Sequence, residues 1–196
     1  MDLDFDFFKI DKSLLEPKKG KLLISEPFLQ DAYFKRSVVL LTEHNNEGSI
    51  GFVLNKPTEL SINEILDDFP DIDLPVSIGG PVATNTIHFC HTLGEVIPNS
   101  VKIVNNIYWG GSFEALKDLI KTEVVDPEKI RFFIGYSGWA PGQLEREISE
   151  RSWVVADVKS DNIIYQANKD TWKKILARLG KKYQMWTNYP ENPVMN

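Results

Sequence analysis

Two glycine-bearing segments are the strongest candidates for a site that does chemistry or binds a ligand. The first, Gly79-Gly80-Pro81, follows directly after a short apolar stretch that reads as a strand. Paired glycines let the backbone approach a ligand closely or adopt torsion angles that other residues avoid. The sequence contains no Gly-x-Gly-x-x-Gly or Gly-x-x-x-x-Gly-Lys-Ser/Thr phosphate fingerprint. We therefore interpret this segment either as a tight turn or as a loop that lines a ligand, and both readings stay open.

The second segment, residues 135–143, joins a predicted strand to a predicted helix. The N-terminus of a helix presents unpaired N–H groups and positive potential, which attract anions. A Gly-x-Ser-x-Gly nucleophile elbow would place a serine in such a turn, but a tryptophan occupies the position of its last glycine. We predict no catalytic residue, and a hydrolase or transferase that uses the serine is the alternative. The candidate ligand contacts are Ser137, Gly138, Trp139, Gly142 and Gln143.

Two histidines and the single cysteine lie within four residues. On a strand, successive side chains point to opposite faces, so His88 and Cys90 share one face and His91 points to the other. The three side chains cannot then surround one zinc ion, and no second Cys/His pair completes four ligands. We predict no metal site and no cofactor. A single cysteine cannot close an internal disulfide, which is typical of a reducing compartment.

One basic concentration lies near the C-terminus and is followed by aromatic residues. Its members are Lys173, Lys174, Arg178, Lys181 and Lys182. Basic residues beside aromatic rings can bind single-stranded nucleic acid. The alternative is that these residues form the solvent-exposed side of a helix whose other side is buried. The chain has 22 Lys and Arg against 28 Asp and Glu, a net charge of -6, which argues against a nucleic-acid partner. A small-molecule ligand or a protein partner remains open.

Length and composition indicate one compact globular domain. The chain has 196 residues, of which 42% are hydrophobic and 26% charged, so a disordered or fibrous chain is excluded. The acidic start of the chain does not fit a signal peptide, and its apolar runs are much shorter than the ~20 residues of a membrane span. We therefore expect a cytoplasmic protein without a membrane partner.

Strands and helices alternate along the chain, which predicts an α/β fold with a mixed β-sheet flanked by helices in layers. Residues 1–20 form a lead-in in which Asp and Phe alternate, either flexible or docked on a partner. Residues 21–180 form the domain, and residues 181–196 form an aromatic, proline-containing tail. Strands are predicted at 21–25, 37–43, 49–55, 76–78, 86–92, 101–104, 130–136, 153–158 and 163–166, and helices at 61–69, 112–122 and 170–179, with a further helix beginning near residue 141.

Three blocks, taken in order, resemble the YqgE/AlgH family of bacterial proteins. They are residues 36–57, which end in Gly51-Phe52-Val53-Leu54-Asn55-Lys56-Pro57; Gly79-Gly80-Pro81-Val82 with His91; and residues 135–153, which begin Gly135-Tyr136-Ser137-Gly138-Trp139. The resemblance covers residues 22–180 and implies a single α/β domain in the bacterial cytoplasm. It implies little chemistry, although one branch of the family carries the label of a transcriptional regulator. Ser49 and Cys90 depart from the family's usual residues, and the latter weakens any thiol chemistry.

These observations favour a non-enzymatic module that binds a small ligand or regulates a partner through its glycine-rich loops. Two alternatives stay open: an enzyme that uses Ser137, and nucleic-acid binding through the basic C-terminal helix.

Overall fold

The fold is organised around one sheet, to which the described residues contribute ten strands. A computed structural model describes residues 16–165 and 167–190. Numbered in chain order, the strands are β1 Lys21–Ser25, β2 Val38–Asn45, β3 Gly48–Val53, β4 Pro57–Ser61, β5 Pro75–Ile78, β6 Val82–His91, β7 Val101–Val104, β8 Ile107–Trp109, β9 Ile130–Trp139 and β10 Trp153–Asp157.

The described residues also form five α-helices, three among the strands and two after the last strand. They are α1 Ile62–Ile65, α2 Phe113–Lys121, α3 Gln143–Ser149, α4 Thr171–Arg178 and α5 Lys181–Gln184. None of the helices in the described part of the chain is both long and apolar enough to cross a membrane.

The sheet is mostly antiparallel. Its strands follow the order β10-β1-β2-β3-β9-β6-β8-β7, and every neighbouring pair in this path is antiparallel. Among the strands of the described residues, the single parallel pair joins β5 to β9, and β4 pairs only with β5. The structure is thus a single α/β domain in which the sheet dominates over the helices.

Alternation along the strands gives the sheet two covered faces. On β1, Leu22 belongs to a core cluster that contains Trp172 and Leu176 of α4, whereas Leu23 belongs to one that contains Leu144 of α3. Neighbouring side chains on a strand point to opposite faces, so α4 and α3 pack on opposite sides of the sheet. The nearly continuous apolar runs of the central strands reflect burial on both faces. A third cluster lies beneath α2.

Side chains cap the starts of two helices. The Ser112 hydroxyl accepts a hydrogen bond from the Ala115 N–H at 3.2 Å at the start of α2. Before α1, the Glu64 carboxylate accepts the Ser61 N–H at 2.7 Å. Both contacts satisfy N–H groups that a helix start leaves without an intrahelical partner.

Several elements differ from the sequence-based expectation. The helix expected at 61–69 ends at Ile65, and α5 lies in the stretch expected to be a tail. Of the strand expected at 163–166, residues 163–165 form the end of a 3₁₀ turn, Asp161–Ile163, and a further turn after it, while residue 166 lies outside the described residues. The backbone carbonyl of Ile164 accepts a hydrogen bond from the Arg131 side chain and pairs with no strand. Strands β4 and β8 were not expected, because β8 has only three residues and β4 has mostly exposed ones.

Arg131 on β9 is a buried guanidinium that connects distant parts of the chain. Its Nε and Nη2 donate to Ser77 Oγ on β5 at 3.2 and 2.8 Å, and Nη2 also donates to the Leu54 carbonyl. Its Nη1 donates to the carbonyls of Ile164 and Ala167. Burial lowers the pKa of Arg131 to about 10, so the group stays charged at neutral pH. Within the described residues no carboxylate forms an ion pair with it; carbonyl and hydroxyl oxygens accept its hydrogen bonds, and the guanidinium carbon lies 5.5 Å from the centre of the Phe133 ring.

We predict that Arg131→Met lowers the free energy of unfolding by about 3 kcal/mol or more, since several buried oxygens lose their donor at once. Urea unfolding monitored by tryptophan fluorescence measures the change. Arg146→Met, on the exposed side of α3, is the matched control and should shift stability by no more than about 0.5 kcal/mol. Equal effects of the two substitutions would contradict the role given to Arg131.

Candidate functional site

Gly79 and Gly80 lie where β9 exchanges one sheet neighbour for another. Up to Ile134, one edge of β9 pairs with β5, and from Ser137 onward the same edge pairs with β3. The N–H of Gly79 donates to the Ile134 carbonyl, and the Gly79 carbonyl accepts the Val53 N–H, both at 2.8 Å. Both glycines are buried, and Pro81 beyond them is exposed. We call this arrangement the strand crossing.

The glycines of the strand crossing permit backbone segments to touch. A Cβ atom added at Gly79 would lie 2.3 Å from the Gly135 carbonyl oxygen. One added at Gly80 would lie 2.3 Å from the Tyr136 carbonyl group and 2.4 Å from the Ser137 nitrogen. The close approach that these two residues allow is therefore to β9 itself.

Ser137 is fully buried in the strand crossing. Its Oγ donates to the Gly79 carbonyl at 2.9 Å. The three histidines hydrogen-bond elsewhere: His44 to Ser49 Oγ at 2.8 Å, His88 to Thr86 Oγ1 at 2.9 Å, and His91 to Ser100 Oγ at 3.0 Å. The nucleophile alternative requires a base beside an accessible hydroxyl. The geometry here provides Ser137 with neither.

Trp139 and Gln143 are held by one carboxylate of α3. Glu147 accepts the indole N–H groups of Trp139 and Trp153 at 2.9 and 2.8 Å, and the side-chain amide of Gln143 at 2.9 Å. Gln143 Oε1 also accepts the Ala140 N–H, which fixes the turn before α3. These polar groups are thus occupied within the protein.

Gly138 and Gly142 are more accessible than the glycines of the strand crossing. Gly138 is half-buried and lines a shallow depression of about 480 Å³ together with Ile50, Val82 and Tyr136. Gly142 is exposed and precedes α3 with a left-handed φ of 71°. The depression is mostly open to solvent, and its polar lining carries carboxylates from the hairpin between β2 and β3.

The strand alternation expected for the His/Cys stretch is present on β6. Cys90 is fully buried, and burial raises the pKa of its thiol to about 12. At neutral pH it is therefore a protonated core residue. Within residues 16–165 and 167–190, no three potential metal-ligating side chains converge.

The basic helix contributes to a larger groove on the opposite face of the sheet from α3. Two of the five basic candidates, Lys174 and Arg178, line it, and Lys159 joins them from the segment after β10. The groove has a volume of about 540 Å³. We name it the α4 groove, and its apolar lining residues are Leu22, Ala156, Ile163, Ile175 and Leu179.

The remaining basic candidates point away from the α4 groove. Lys173 and Lys181 are exposed and do not line it, and the Lys182 ammonium lies 5.5 Å from the centre of the Tyr183 ring. Tyr183 is itself buried in the core cluster that contains α4, so this part of the expected tail packs on the domain.

The α4 groove has an excess of positive charge. Lys174 and Arg178 form no ion pair with any described residue, whereas the one carboxylate in the lining, Asp157, is hydrogen-bonded to Lys21 and lies 4.0 Å from Lys159. The hydrogen bond from Lys21 lowers the pKa of Asp157, which therefore stays ionised. Three cations against one carboxylate leave two positive charges beside an apolar lining.

Packing of α4 positions the two unpaired cations. Trp172 and Leu176 are buried, and the Trp172 indole donates to the Ser25 carbonyl at 2.9 Å. Residues four apart lie on the same side of a helix, so Lys174 and Arg178 project together along the groove. The sequence showed the basic stripe, but Lys159 is too distant in the chain for any local pattern to include it.

Fold and candidate sites define a single-domain α/β protein with a mostly antiparallel sheet, a glycine-dependent strand crossing and a basic groove along one helix. A family model described as AlgH-like matches residues 22–184, and the chain belongs to this family. This confirms the resemblance seen in the three sequence blocks.

Related proteins match the chain over almost its whole length. A UPF0301 protein of Parabacteroides distasonis is 45% identical over 193 residues, covering 97% of this chain and 98% of that protein. A UPF0301 protein of Bacteroides fragilis is 43% identical and covers both chains completely. Neither name states an activity.

Two solved structures have the same fold. The solution structure of the AlgH protein from Pseudomonas aeruginosa has a TM-score of 0.69 and 27% identity, covering 93% of this chain and 97% of that one. A crystal structure of a protein from Corynebacterium diphtheriae has a TM-score of 0.73 over 96% of this chain and 100% of that one. Its identity is 22%, so it supports the fold alone.

Replacing a glycine of the strand crossing should destabilise the protein far more than replacing an exposed glycine. We predict that Gly80→Ala lowers the free energy of unfolding by about 3 kcal/mol or more, because the added methyl group meets backbone that cannot move aside. Gly142→Ala, in open space, should lower it by only about 1 kcal/mol, the cost of a left-handed φ. Urea unfolding compares the two, and similar losses would contradict the packing role of Gly80.

Buried histidines should make stability depend on pH. Burial lowers the pKa of His91, which is fully buried, and also that of His88. In the unfolded chain a histidine binds a proton below a pH of about 6.5 while the folded chain resists it, so stability is full above that pH and falls as the pH decreases. The free energy of unfolding should be higher at a pH of about 7.5 than at a pH of about 5.5. The substitution His91→Gln should reduce this difference. An unchanged difference in that variant would exclude this contribution.

Proposed function

We propose that the protein is a non-enzymatic binding module whose α4 groove recognises an acidic ligand that also carries apolar groups. The observation that carries this proposal is the pair of unpaired cations, Lys174 and Arg178, beside an apolar lining. The binding role expected from the glycine loops is thereby assigned to another face of the molecule.

Charge supports an anionic ligand. The whole chain has a net charge of -6, so a local excess of positive charge contrasts with its surroundings. Long basic side chains can lay their methylene stems along apolar surface and keep their charged ends at the rim. An acidic group bound there gains attraction from cations that have no competing carboxylate of their own.

Shape supports an apolar component. The volume of about 540 Å³ falls within the usual range for ligand sites. The lining presents side chains of β1, β10 and α4, which are regular elements held by the core, and such elements hold a site more rigidly than loops do. A purely polar ion would leave this apolar surface in contact with water.

The two alternatives have weaker support. A hydrolase based on Ser137 lacks both access and a base, since its hydroxyl is buried against the Gly79 carbonyl. For nucleic acid, only two of the five basic candidates share the groove, and aromatic residues are not among its lining. We also propose a cytoplasmic location, which suits a single free and buried cysteine.

A fluorescent aromatic sulfonate, 8-anilinonaphthalene-1-sulfonate, tests the proposal because it combines an anion with an apolar ring system. The start of the chain carries carboxylates that are a second source of negative charge. The reference protein is therefore the full chain with Asp2, Asp4 and Asp6 changed to Asn, so that the dye is the anion whose binding to Lys174 and Arg178 is measured. Adding Lys174→Glu and Arg178→Glu should weaken dye binding about tenfold, as two attractive charges become repulsive.

The matched control carries Lys173→Glu and Lys181→Glu in the same reference chain. These residues are exposed outside the groove, and the net charge changes by the same amount. Dye affinity should then stay within about twofold of the reference, because surface charges away from the site contribute little. Equal weakening by both pairs would mean that only net charge matters, and no weakening by either would remove the groove as the binding site.

A further inference from the structure

We propose that the acidic, aromatic start of the chain, residues 2–8, occupies the α4 groove of the same molecule. This inference rests on the binding role proposed for the groove and names its resident ligand. Residues 1–15 lie outside the described residues, so their part of the argument comes from the sequence, while the groove itself is described by the structure.

The composition of this segment complements the groove. Asp at positions 2, 4 and 6 alternates with Leu3, Phe5 and Phe7. In an extended chain successive side chains point to opposite sides, so one side of this segment would be acidic and the other apolar. The groove offers the matching pair of surfaces, an apolar lining and a rim with three cations.

The spacing of the charges also matches. Lys174 and Arg178 are four residues apart on α4, a separation of about 6 Å along a helix axis. Two residues along an extended chain advance about 6.8 Å. Asp4 and Asp6 therefore have the separation needed to contact Lys174 and Arg178 at the same time. A single acidic residue would contact only one of the two cations.

The connection to the domain keeps the segment close to the groove. Lys21 begins β1, and its ammonium hydrogen-bonds to Asp157, a lining residue of the groove. Residues 16–20 belong to the described structure, so the connection outside it runs only from Phe8 to Glu16 and can span at most about 30 Å when extended. Such a short connection gives the segment an effective concentration on the order of millimolar, so even a weak contact would be populated.

Occupation by the chain's own segment would make binding competitive. An external acidic ligand would have to displace residues 2–8, and its apparent affinity would equal its intrinsic affinity multiplied by the fraction of molecules in which the groove is open. The segment would then act as an internal inhibitor of the binding role, and recognition would favour partners with a longer or more acidic version of the same pattern.

The first test compares dye binding by the native chain and by the chain with Asp2→Asn, Asp4→Asn and Asp6→Asn. We expect the native chain to bind the aromatic sulfonate about threefold more weakly or worse, because its own segment competes. In chains that also carry Lys174→Glu and Arg178→Glu, the two should bind equally, since the segment no longer has its cations.

The second test measures proximity directly. Lys9→Cys carrying a nitroxide label provides a single reactive site, because the native Cys90 is fully buried and burial raises its thiol pKa to about 12. The label should broaden the amide NMR signals of Ile163 and Ile175, which line the groove, and leave those of Leu144 on the other face sharp. Lys174→Glu with Arg178→Glu should abolish the broadening, and Lys173→Glu with Lys181→Glu should preserve it.

Failure of this inference differs from failure of the proposed function. Equal dye affinity of the native and Asp-to-Asn chains, with no broadening of the signals of Ile163 and Ile175, would overturn the proposal that residues 2–8 occupy the groove. The effect of Lys174→Glu with Arg178→Glu on dye binding would still decide whether the groove binds acidic ligands. Displacement of the dye by an added peptide of residues 1–15, equally from both chains, would assign the groove to a partner in trans and would likewise overturn it.

Discussion

The buried Arg131 guanidinium ties an irregular segment of the chain to the strands of the sheet. Its donors reach a hydroxyl on β5, the carbonyl after β3 and two carbonyls in the irregular segment before α4. A guanidinium has five N–H donors in a fixed plane, and a lysine could not supply the same set. Because the irregular segment is held in this way, Ile163 and the start of α4 are placed beside β1 and β10. The α4 groove thus depends on a contact inside the core.

The strand crossing is the second constraint on the fold. One edge of β9 serves two different strands, and the change of partner brings Gly79 and Gly80 within contact of the β9 backbone. Any side chain at Gly80 would collide with the Tyr136 carbonyl group. A glycine pair after a strand is compatible with a ligand loop and with a close backbone crossing, and here packing accounts for it.

A local excess of positive charge on an acidic protein gives the α4 groove its character. Lys174 and Arg178 project from a helix whose other side is buried, and the lining between them and β10 is apolar. Such a site selects ligands by two properties together, acidity and hydrophobicity. If the acidic start of the chain occupies the groove, one chain contains both the binding site and the segment that inhibits it.

Periodicity and turn chemistry in the sequence were sufficient for most strands, for α2 and α4, and for the α/β class, because these depend on near neighbours along the chain. The two short strands, the irregular segment after Ile163 and the strand crossing could not be inferred, since each is held by residues far apart in the sequence. The same reason separates the site from its local signals. The sequence alone determined that Lys174 and Arg178 share one side of a helix; only the tertiary structure decided that Lys159 and Leu22 lie beside them, because burial and proximity arise when distant segments pack.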